Sequence, residues 1–452
     1  MNAAPDTAAG PVLDVLGVGF GPSNLALAIA LRSHNDAVAV RGESGPTPRD
    51  GRLTFAFVEK QRRFGWHRGM LIDGATLQVS FLKDLATLRD PASPFTFLKY
   101  LHEKGRLPSF INHKALFPSR VEFSDYLAWA AAAFDDVVQY GTEVVEVRPV
   151  VVDGRVAHLE VVAESAGGTT VFRTRNLVLA CGLVPATPPG AALSDRVWHS
   201  SELLDRADRL DDAMPLTMTV VGAGQSAAEV TEYLHRRFRA ATVHSVFSRF
   251  GYSPADDSPF VNGIFDPAAV DLFFHSPPSV RKMLLDYHAN TNYSAVDADL
   301  IAELHRRVYD ESVRGPRRLH MVNASRVQAV EPDPAGLRVT VEHLPTGEVR
   351  RLSSDVLVYA TGYRPADPIP LLGGFVQYCK LDDRGALCFE RDYRVVTTGG
   401  VDCAVYLQGG TEETHGISSS LLSNSAVRAG EITTSIAAGC GDRIPGARTL
   451  MP

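Results

Sequence analysis

The sequence predicts an α/β protein with two parallel-sheet dinucleotide-binding units, the second inserted in the first, and three observations carry that prediction. Near the N-terminus, Asp14-Val-Leu-Gly17-Val-Gly19-Phe-Gly21-Pro22-Ser-Asn24 follows a short β-branched run and opens onto an apolar helical pattern. In mid-chain, Thr219-Val-Val-Gly222-Ala-Gly224-Gln225-Ser226-Ala227 repeats the same strand–turn–helix grammar. Beyond the second unit, Val356–Ala360 runs into Thr361-Gly362-Tyr363, and Gly409–Gly439 passes from a Gly-rich turn into a helix, which returns the chain to the first unit. Glycines in such a turn let the backbone approach a pyrophosphate, and the following helix supplies free N–H groups and a positive dipole end. One turn of this kind is a weak signal. Two imply Rossmann-like units that hold a flavin and a nicotinamide dinucleotide face to face.

The elements follow in order. Val12–Val18 reads as a strand and Pro22–Arg32 as its helix. Arg41–Gly51 lacks periodicity and is dense in turn formers, so it reads as a flexible insertion. Leu53–Val58 is the next strand and ends at Glu59, where an acidic side chain suits ribose hydroxyls once the insertion is discounted. Thr76–Pro94 is irregular and polar, and Val121–Ala133 is an amphipathic helix. Val144–Val152, His158–Ala163 and Thr169–Arg173 form an antiparallel excursion with a hairpin at Asp153-Gly154. Asn176–Cys181 is a buried strand of the first sheet. Met218–Val221 and Thr242–Phe247 begin the second sheet, Phe265–Arg314 is largely helical, and Arg338–His343 pairs with Val349–Leu352. The expected units are 1–212, then 213–354 with a mainly helical substrate-binding segment at about 260–315, then 355–452 to complete the first.

Composition narrows the class. The 452 residues carry a net charge of −7, which argues against a nucleic-acid or anionic membrane partner. No apolar run reaches the roughly 18 residues of a membrane span, and Met1–Pro11 has no secretory character, so the expected location is the cytoplasm. Cys181, Cys379, Cys388, Cys403 and Cys440 are odd in number and never form Cys-x-x-Cys. That speaks for reduced thiols and against both a zinc cluster and a dithiol reductase.

Several further blocks carry a more specific signal: Phe64-Gly-Trp66-His67, Leu77-Gln78-Val-Ser-Phe-Leu-Lys83-Asp-Leu, Asp256-Asp-Ser-Pro-Phe-Val-Asn262, Asn290-Thr-Asn292-Tyr293-Ser and His415-Gly-Ile-Ser-Ser-Ser-Leu421-Leu-Ser423. With these and the glycine turns, nearly the whole chain resembles the microbial N-hydroxylating flavin monooxygenases. These hydroxylate the side-chain amine of ornithine or lysine on the way to hydroxamate siderophores and related products. The resemblance implies FAD and NADPH as cofactors, O2 as co-substrate, a flavin C4a-hydroperoxide, and a dimeric or tetrameric assembly. Asn24 stands where other nucleotide folds often carry a third glycine.

The resemblance also assigns residues. Lys83, Asn262, Asn292 and Ser423 bind the amino acid, with Lys83 suited to its carboxylate and Asn292 nearest the reacting nitrogen; Asn292 and Lys83 are the catalytic candidates. In isolation these would read as a surface lysine, turn asparagines and a helix-cap serine. The cofactor-binding positions are Gly19, Gly21, Pro22, Glu59, Trp66, His67, Gln78, Gly222, Gly224, Gln225, Ser226, Arg249, Ser253, Tyr293, Thr361 and Leu421. Trp66, His67 and Gln78 line the flavin, and Gln225 positions the nicotinamide. After Thr242–Phe247 no acidic residue awaits a free 2′-hydroxyl, whereas Arg249 and Ser253 suit the 2′-phosphate of NADPH. His415 reads as a flavin-facing or structural histidine, and Asp256-Asp257 as a loop pair without a metal. The leading function is L-ornithine N5-hydroxylation; lysine N6-hydroxylation and diamine N-hydroxylation are the alternatives within the class, and a catalytically silent flavoprotein sensor is the alternative outside it.

Overall fold

The computed structural model describes residues 10–41, 51–291 and 293–441. Most of the N-terminal tail and of the Arg41–Gly51 insertion, and Asn292 itself, lie outside these described residues.

A seven-stranded sheet carries the first glycine turn. Its order is Val138–Tyr140, Phe55–Glu59, Val12–Val18, Gly168–Leu179, Arg155–Ser165 and Thr142–Val152, with Ala404–Leu407 also paired to Gly168–Leu179. Strand Val12–Val18 pairs in parallel with both neighbours and buries Val15, Leu16 and Val18, as a strand covered on both faces must. Helix Pro22–Arg41 packs against the last helix, Ser425–Gly441. A cluster of buried aromatics from the segment between (Phe97, Tyr100, Phe123, Tyr126 and Phe134) closes the same core.

A five-stranded parallel sheet carries the second turn, in the order Leu319–Val322, Thr242–Val246, Thr217–Val221, Val356–Tyr359 and Val197–His199. Its edge strand Val197–His199 comes from chain upstream of residue 213. Helix Gln225–Arg237 buries Ala227, Val230 and Leu234 on this sheet, and a three-stranded antiparallel sheet over Ser325–Ser354 lies beside it.

Two elements differ from expectation, while the region 265–314 is largely helical as expected. The helix after the first turn runs on to Arg41 instead of stopping at Arg32. Arg32 keeps it docked by stacking 3.8 Å over the Phe134 ring and donating to the Ala133 carbonyl. The expected strands Thr169–Arg173 and Asn176–Cys181 are one strand, Gly168–Leu179. Its first half takes Arg155–Ser165 as an antiparallel neighbour and its second half takes Ala404–Leu407 in parallel. The hairpin therefore extends the first sheet and does not leave it. The region 265–314 is three helices, Pro267–His275, Pro278–Tyr287 and Ala298–Arg314, broken by a polar loop after Tyr287.

Both glycine turns rest on the same backbone contact. Gly19 has φ +80°, and a Cβ there would lie 2.4 Å from the Ala180 carbonyl oxygen. Gly222 has φ +149°, and its Cβ would lie 2.2 Å from the Ala360 carbonyl oxygen. Each carbonyl belongs to the residue directly following a neighbouring parallel strand, so the turn closes only where no side chain stands.

His415 is wholly buried, stacked on Tyr393 with ring centroids 4.3 Å apart. Its Nδ1 pairs with Thr414 Oγ1 at 2.8 Å and its Nε2 with the Arg391 carbonyl at 3.2 Å. Burial, ahead of all other causes, pulls its pKa down to about 4.

Two outcomes are expected. Gly19→Ala should destabilise the chain by more than the ~1–3 kcal/mol of left-handed strain alone, read as a lower urea midpoint at unchanged slope. An unchanged midpoint would remove the proposed carbonyl contact. For His415, the unfolded chain protonates near pH 6.5 while the folded chain resists until about pH 4. Its contribution is thus complete above pH 6.5 and is lost as pH falls toward 4, worth about 3 kcal/mol at ~1.4 kcal/mol per pKa unit. His415→Gln keeps hydrogen-bonding capacity without titrating, so it should flatten the stability–pH slope in that window; a slope identical to the parent's would contradict the assignment.

Candidate active site

At the first turn, a Cβ on Gly21 would meet nothing within 4 Å, so the N-terminus of the helix is open to an approaching group. Pro22 begins that helix, where its missing N–H is no loss. Asn24 is fully buried and replaces the third glycine with hydrogen bonds: its Nδ2 donates to the Gly19 carbonyl at 2.7 Å and the Val18 carbonyl at 3.2 Å. Gln408 Nε2 donates to Asn24 Oδ1 at 2.8 Å. Behind it lies Arg428, 1 % exposed, bonded to the Ser419 carbonyl at 2.6 Å, Ser23 Oγ at 3.3 Å and Gln408 Oε1 at 3.4 Å. These three partners are neutral. A buried cation held by neutral groups beside a helix N-terminus makes the turn electropositive, the environment a diphosphate needs. Glu59 is buried, not solvated, and its two oxygens accept from the backbone N–H of Phe20 at 2.6 Å and of Gln61 at 2.8 Å.

At the second turn, Gly224 caps helix Gln225–Arg237, and a Cβ there would lie 3.3 Å from Ser294 Cα. The turn is thus pressed against the loop that follows Asn292. Arg249 reaches the same loop, donating to the Ser294 carbonyl at 3.0 Å, with Ser253 Oγ 3.5 Å from the same nitrogen. Arg249 and Ser253 stand side by side, as a phosphate site requires. Ser226 lies half-buried in the first turn of the helix.

Gln78 and Gln225 meet on one carboxylate. Gln78 Nε2 donates to Asp297 Oδ2 at 2.6 Å, and Gln225 Nε2 donates to the same oxygen at 3.0 Å. Gln225 also donates to Glu229 Oε1 at 2.9 Å and accepts from the Asp297 backbone N–H at 2.8 Å. Glu229 is 5 % exposed and takes a two-pronged bond from Arg120 at 2.6 and 2.8 Å. Trp66 lies edge-on to His67 at 4.9 Å between centroids, and His67 in turn faces Tyr363 at 5.9 Å. Thr361 Oγ1 donates to the Ala186 carbonyl, and the Gly362 carbonyl pairs with His199 Nε2 at 3.0 Å, which ties the crossover to the first sheet's outgoing chain.

Lys83 sits on a loop set by Asp84. The buried Asp84 carboxylate accepts from the N–H groups of Ala86, Thr87 and Phe97 and from the Thr87 hydroxyl. Lys83 Nζ stands 5.8 Å from the Phe265 ring centroid, and among the described residues it forms no ion pair. Phe265 ends the turn Val261–Phe265, which also carries Asn262; the Asn262 amide nitrogen closes its own loop by donating to the Asp257 carbonyl at 2.8 Å. That turn packs on Ile417–Ser420, and the adjoining Leu422–Asn424 carries Ser423 and follows Leu421. Ser423 is 2 % exposed, and among the described residues its Oγ has no hydrogen-bond partner; nor do the buried Thr411 Oγ1, Ser419 Oγ and Asn424 Oδ1. Four buried unpaired polar atoms in one short segment are a debt that a bound polar molecule can settle. Tyr293 donates to Glu412 at the edge of this region. Asn292 lies outside the described residues.

Sequence reading alone passed over Asp297, Glu229, Arg120 and Arg428. Asp297 looks like an ordinary helix cap, and Arg120, Glu229 and Arg428 sit in helices where charged residues are usually solvated. The one available signal was the low mean polarity around Arg428, in Ser425-Ala-Val-Arg428-Ala-Gly.

Known proteins match this arrangement. The chain is 42% identical over 416 residues to an L-ornithine N(5)-monooxygenase of Burkholderia cepacia, covering 90% of each. It superposes on a Kutzneria sp. 744 ornithine N-hydroxylase, solved with reduced FAD, NADP+ and L-ornithine, with a TM-score of 0.88 and 46% identity over 94% of this chain and 99% of that one. It superposes on an L-lysine 6-monooxygenase from Pseudomonas syringae with a TM-score of 0.81 and 34% identity, over 94% and 99%. The model of the L-lysine 6-monooxygenase/L-ornithine 5-monooxygenase family matches residues 11–365, and this chain belongs to that family.

Proposed function

We propose that the chain is an FAD- and NADPH-dependent monooxygenase that converts L-ornithine and O2 to N5-hydroxyornithine, for hydroxamate siderophore or related biosynthesis. The observation that carries this reading is the meeting of Gln78 and Gln225, one from each nucleotide unit, on the Asp297 carboxylate. It ties the segment that carries Gln78 to the helix that opens at the second glycine turn.

Under this reading the units are drawn as in the sequence analysis, with strand Val197–His199 added to the second. Gly19, Gly21 and Pro22, backed by Arg428, hold the FAD diphosphate, with Glu59 at the ribose and Trp66, His67, Gln78, Thr361 and Leu421 around the flavin. Gly222, Gly224, Gln225 and Ser226 hold NADPH, Arg249 and Ser253 take its 2′-phosphate, and Tyr293 flanks it. Bound FAD supplies oxygen activation, and NADPH supplies the reducing equivalents.

The protein's own contribution is placement. Lys83 pairs with the substrate α-carboxylate, Ser423 Oγ donates to it, and Asn262 and Asn292 bind the amines without adding charge. The side-chain amine reacts only when neutral, while a free alkyl ammonium ordinarily keeps its proton far above pH 7. A site whose fixed charge is the Lys83 cation and whose amine contacts are uncharged lowers that barrier. The same cation disfavours a diamine, which brings no carboxylate. One methylene, worth ~1–3 kcal/mol, separates ornithine from lysine; the higher identity to the ornithine enzymes favours ornithine. The reading includes a cytoplasmic homo-oligomer, dimer or tetramer. Among the described residues no helix is long and apolar enough to cross a membrane.

The deciding assay is hydroxylamine formation with FAD, NADPH and O2 on L-ornithine, L-lysine and putrescine in parallel. Product from ornithine is expected, and Lys83→Ala should abolish most of it by raising KM for the amino acid at least about tenfold, the cost of losing one charge-assisted bond. Product mainly from lysine or putrescine would overturn the pocket assignment. For the nucleotide, Arg249→Ala should raise KM for NADPH about tenfold or more and leave NADH nearly unaffected. An equal loss for both would take Arg249 away from the 2′-phosphate.

A further inference from the structure

We infer that Asp297 is a positioning residue for the reductive half of the reaction: its carboxylate holds Gln78 on the flavin side and Gln225 on the nicotinamide side in one register. This rests on the functional reading above, in which those glutamines face the two rings.

Local rules do not account for Asp297. It is the N-cap of helix Ala298–Arg314, where an aspartate ordinarily accepts from the helix's own first N–H groups, yet its side chain makes no such bond. It forgoes the cap for two amides that lie 219 and 72 residues away in sequence. A cap position that gives up its cap to a long-range contact is where function overrides local stability.

The acceptor also fixes how both amides face. A carboxylate can only accept, so Gln78 and Gln225 must each present an –NH2 edge to it. Gln225 then has both amide protons on carboxylates, Asp297 and Glu229, and its oxygen already takes the Asp297 N–H. The capacity left to Gln225 is the second lone pair of Oε1. It therefore meets a nicotinamide carboxamide as an acceptor from that group's N–H. Gln78 keeps one amide proton and its oxygen, so it can both donate and accept toward a flavin edge. Without Asp297 either amide is free to turn over, and the two sides lose their common reference. The Glu229–Arg120 pair anchors the far end of the chain of bonds, so rotation at Gln225 is resisted from both sides.

The test uses the FAD-loaded full chain. Anaerobic flavin reduction by saturating NADPH is followed by bleaching of the flavin band, and hydrogen peroxide released per NADPH is measured with L-ornithine and O2. Asp297→Ala should slow reduction about tenfold or more, raise peroxide release, and alter the visible spectrum of the bound flavin. Asp297→Asn keeps one oxygen able to accept from both glutamines, so it should recover most of the lost rate. Asp297→Ser can supply the helix cap that Asp297 forgoes but cannot bridge both amides, so relative to Asp297→Ala it should raise thermal stability and not rate. Recovery of rate by Asp297→Ser, or a wild-type reduction rate in Asp297→Ala, would overturn the proposal. Gln78→Ala and Gln225→Ala separate the two levels of argument. If neither alters reduction, the placement of the glutamines falls and this inference with it. If both slow reduction while Asp297→Ala does not, the placement stands and the role of Asp297 alone is overturned.

Discussion

Two backbone carbonyls, those of Ala180 and Ala360, come so close to Gly19 and Gly222 that a single added carbon would collide with each. The rest of the molecule is arranged around that constraint. Each turn must end its strand, approach the neighbouring parallel strand, and still leave a helix N-terminus facing outward. Only glycine meets the first two demands, and Gly21, with nothing near it, meets the third. The second unit repeats the solution with a different inner neighbour: Gly224 faces the Ser294 loop and not open space. The two turns are therefore alike in backbone and unlike in surroundings.

That difference ties the second glycine turn to the loop that follows Asn292. Gly224 touches Ser294, Arg249 bonds the Ser294 carbonyl, and Gln225 bonds both the N–H and the side chain of Asp297. The short loop between Asn290 and Ala298 thus contacts the second unit at three points. On the other side, Gln78 and Arg120 reach across from the first unit. The first turn is secured differently, from behind, by Asn24, Gln408 and the buried Arg428. Its support comes from buried side chains behind it, whereas the second turn's support is shared with the Ser294 loop.

Much of the fold was legible because it is written in local patterns. Val12–Val18, Thr217–Val221 and Thr242–Val246 are apolar runs bounded by turn residues, and Asp153-Gly154 carries the positive φ angles its hairpin needs. Boundaries were less legible. Gly168–Leu179 reads as two strands because polar Thr174, Arg175 and Asn176 interrupt it, but each has a partner in the sheet: Thr174 and Asn176 bond backbone carbonyls, and Arg175 reaches Asp14. Among candidate site residues, Lys83 and Ser423 were singled out through the blocks that carry the resemblance, and Arg249 and Ser253 through their place after the strand Thr242–Val246. Glu59 was legible in position but not in state, since a strand end reads as solvated and this one is buried against the Phe20 N–H.

By itself, then, the sequence determined the two glycine turns, the strands that lead into them, and the chemical types gathered around Lys83, Ser423 and Arg249. Tertiary structure alone decided that Gln78 and Gln225 share Asp297, that Arg120 pairs with the buried Glu229, and that Arg428 is a buried cation behind the first turn. The reason is physical. Turn geometry and strand patterning are properties of a few consecutive residues, while the partner of a charged side chain depends on which distant segments the sheets bring together. A carboxylate at a helix start, taken alone, is a cap; only the packing of two units against it makes it a bridge.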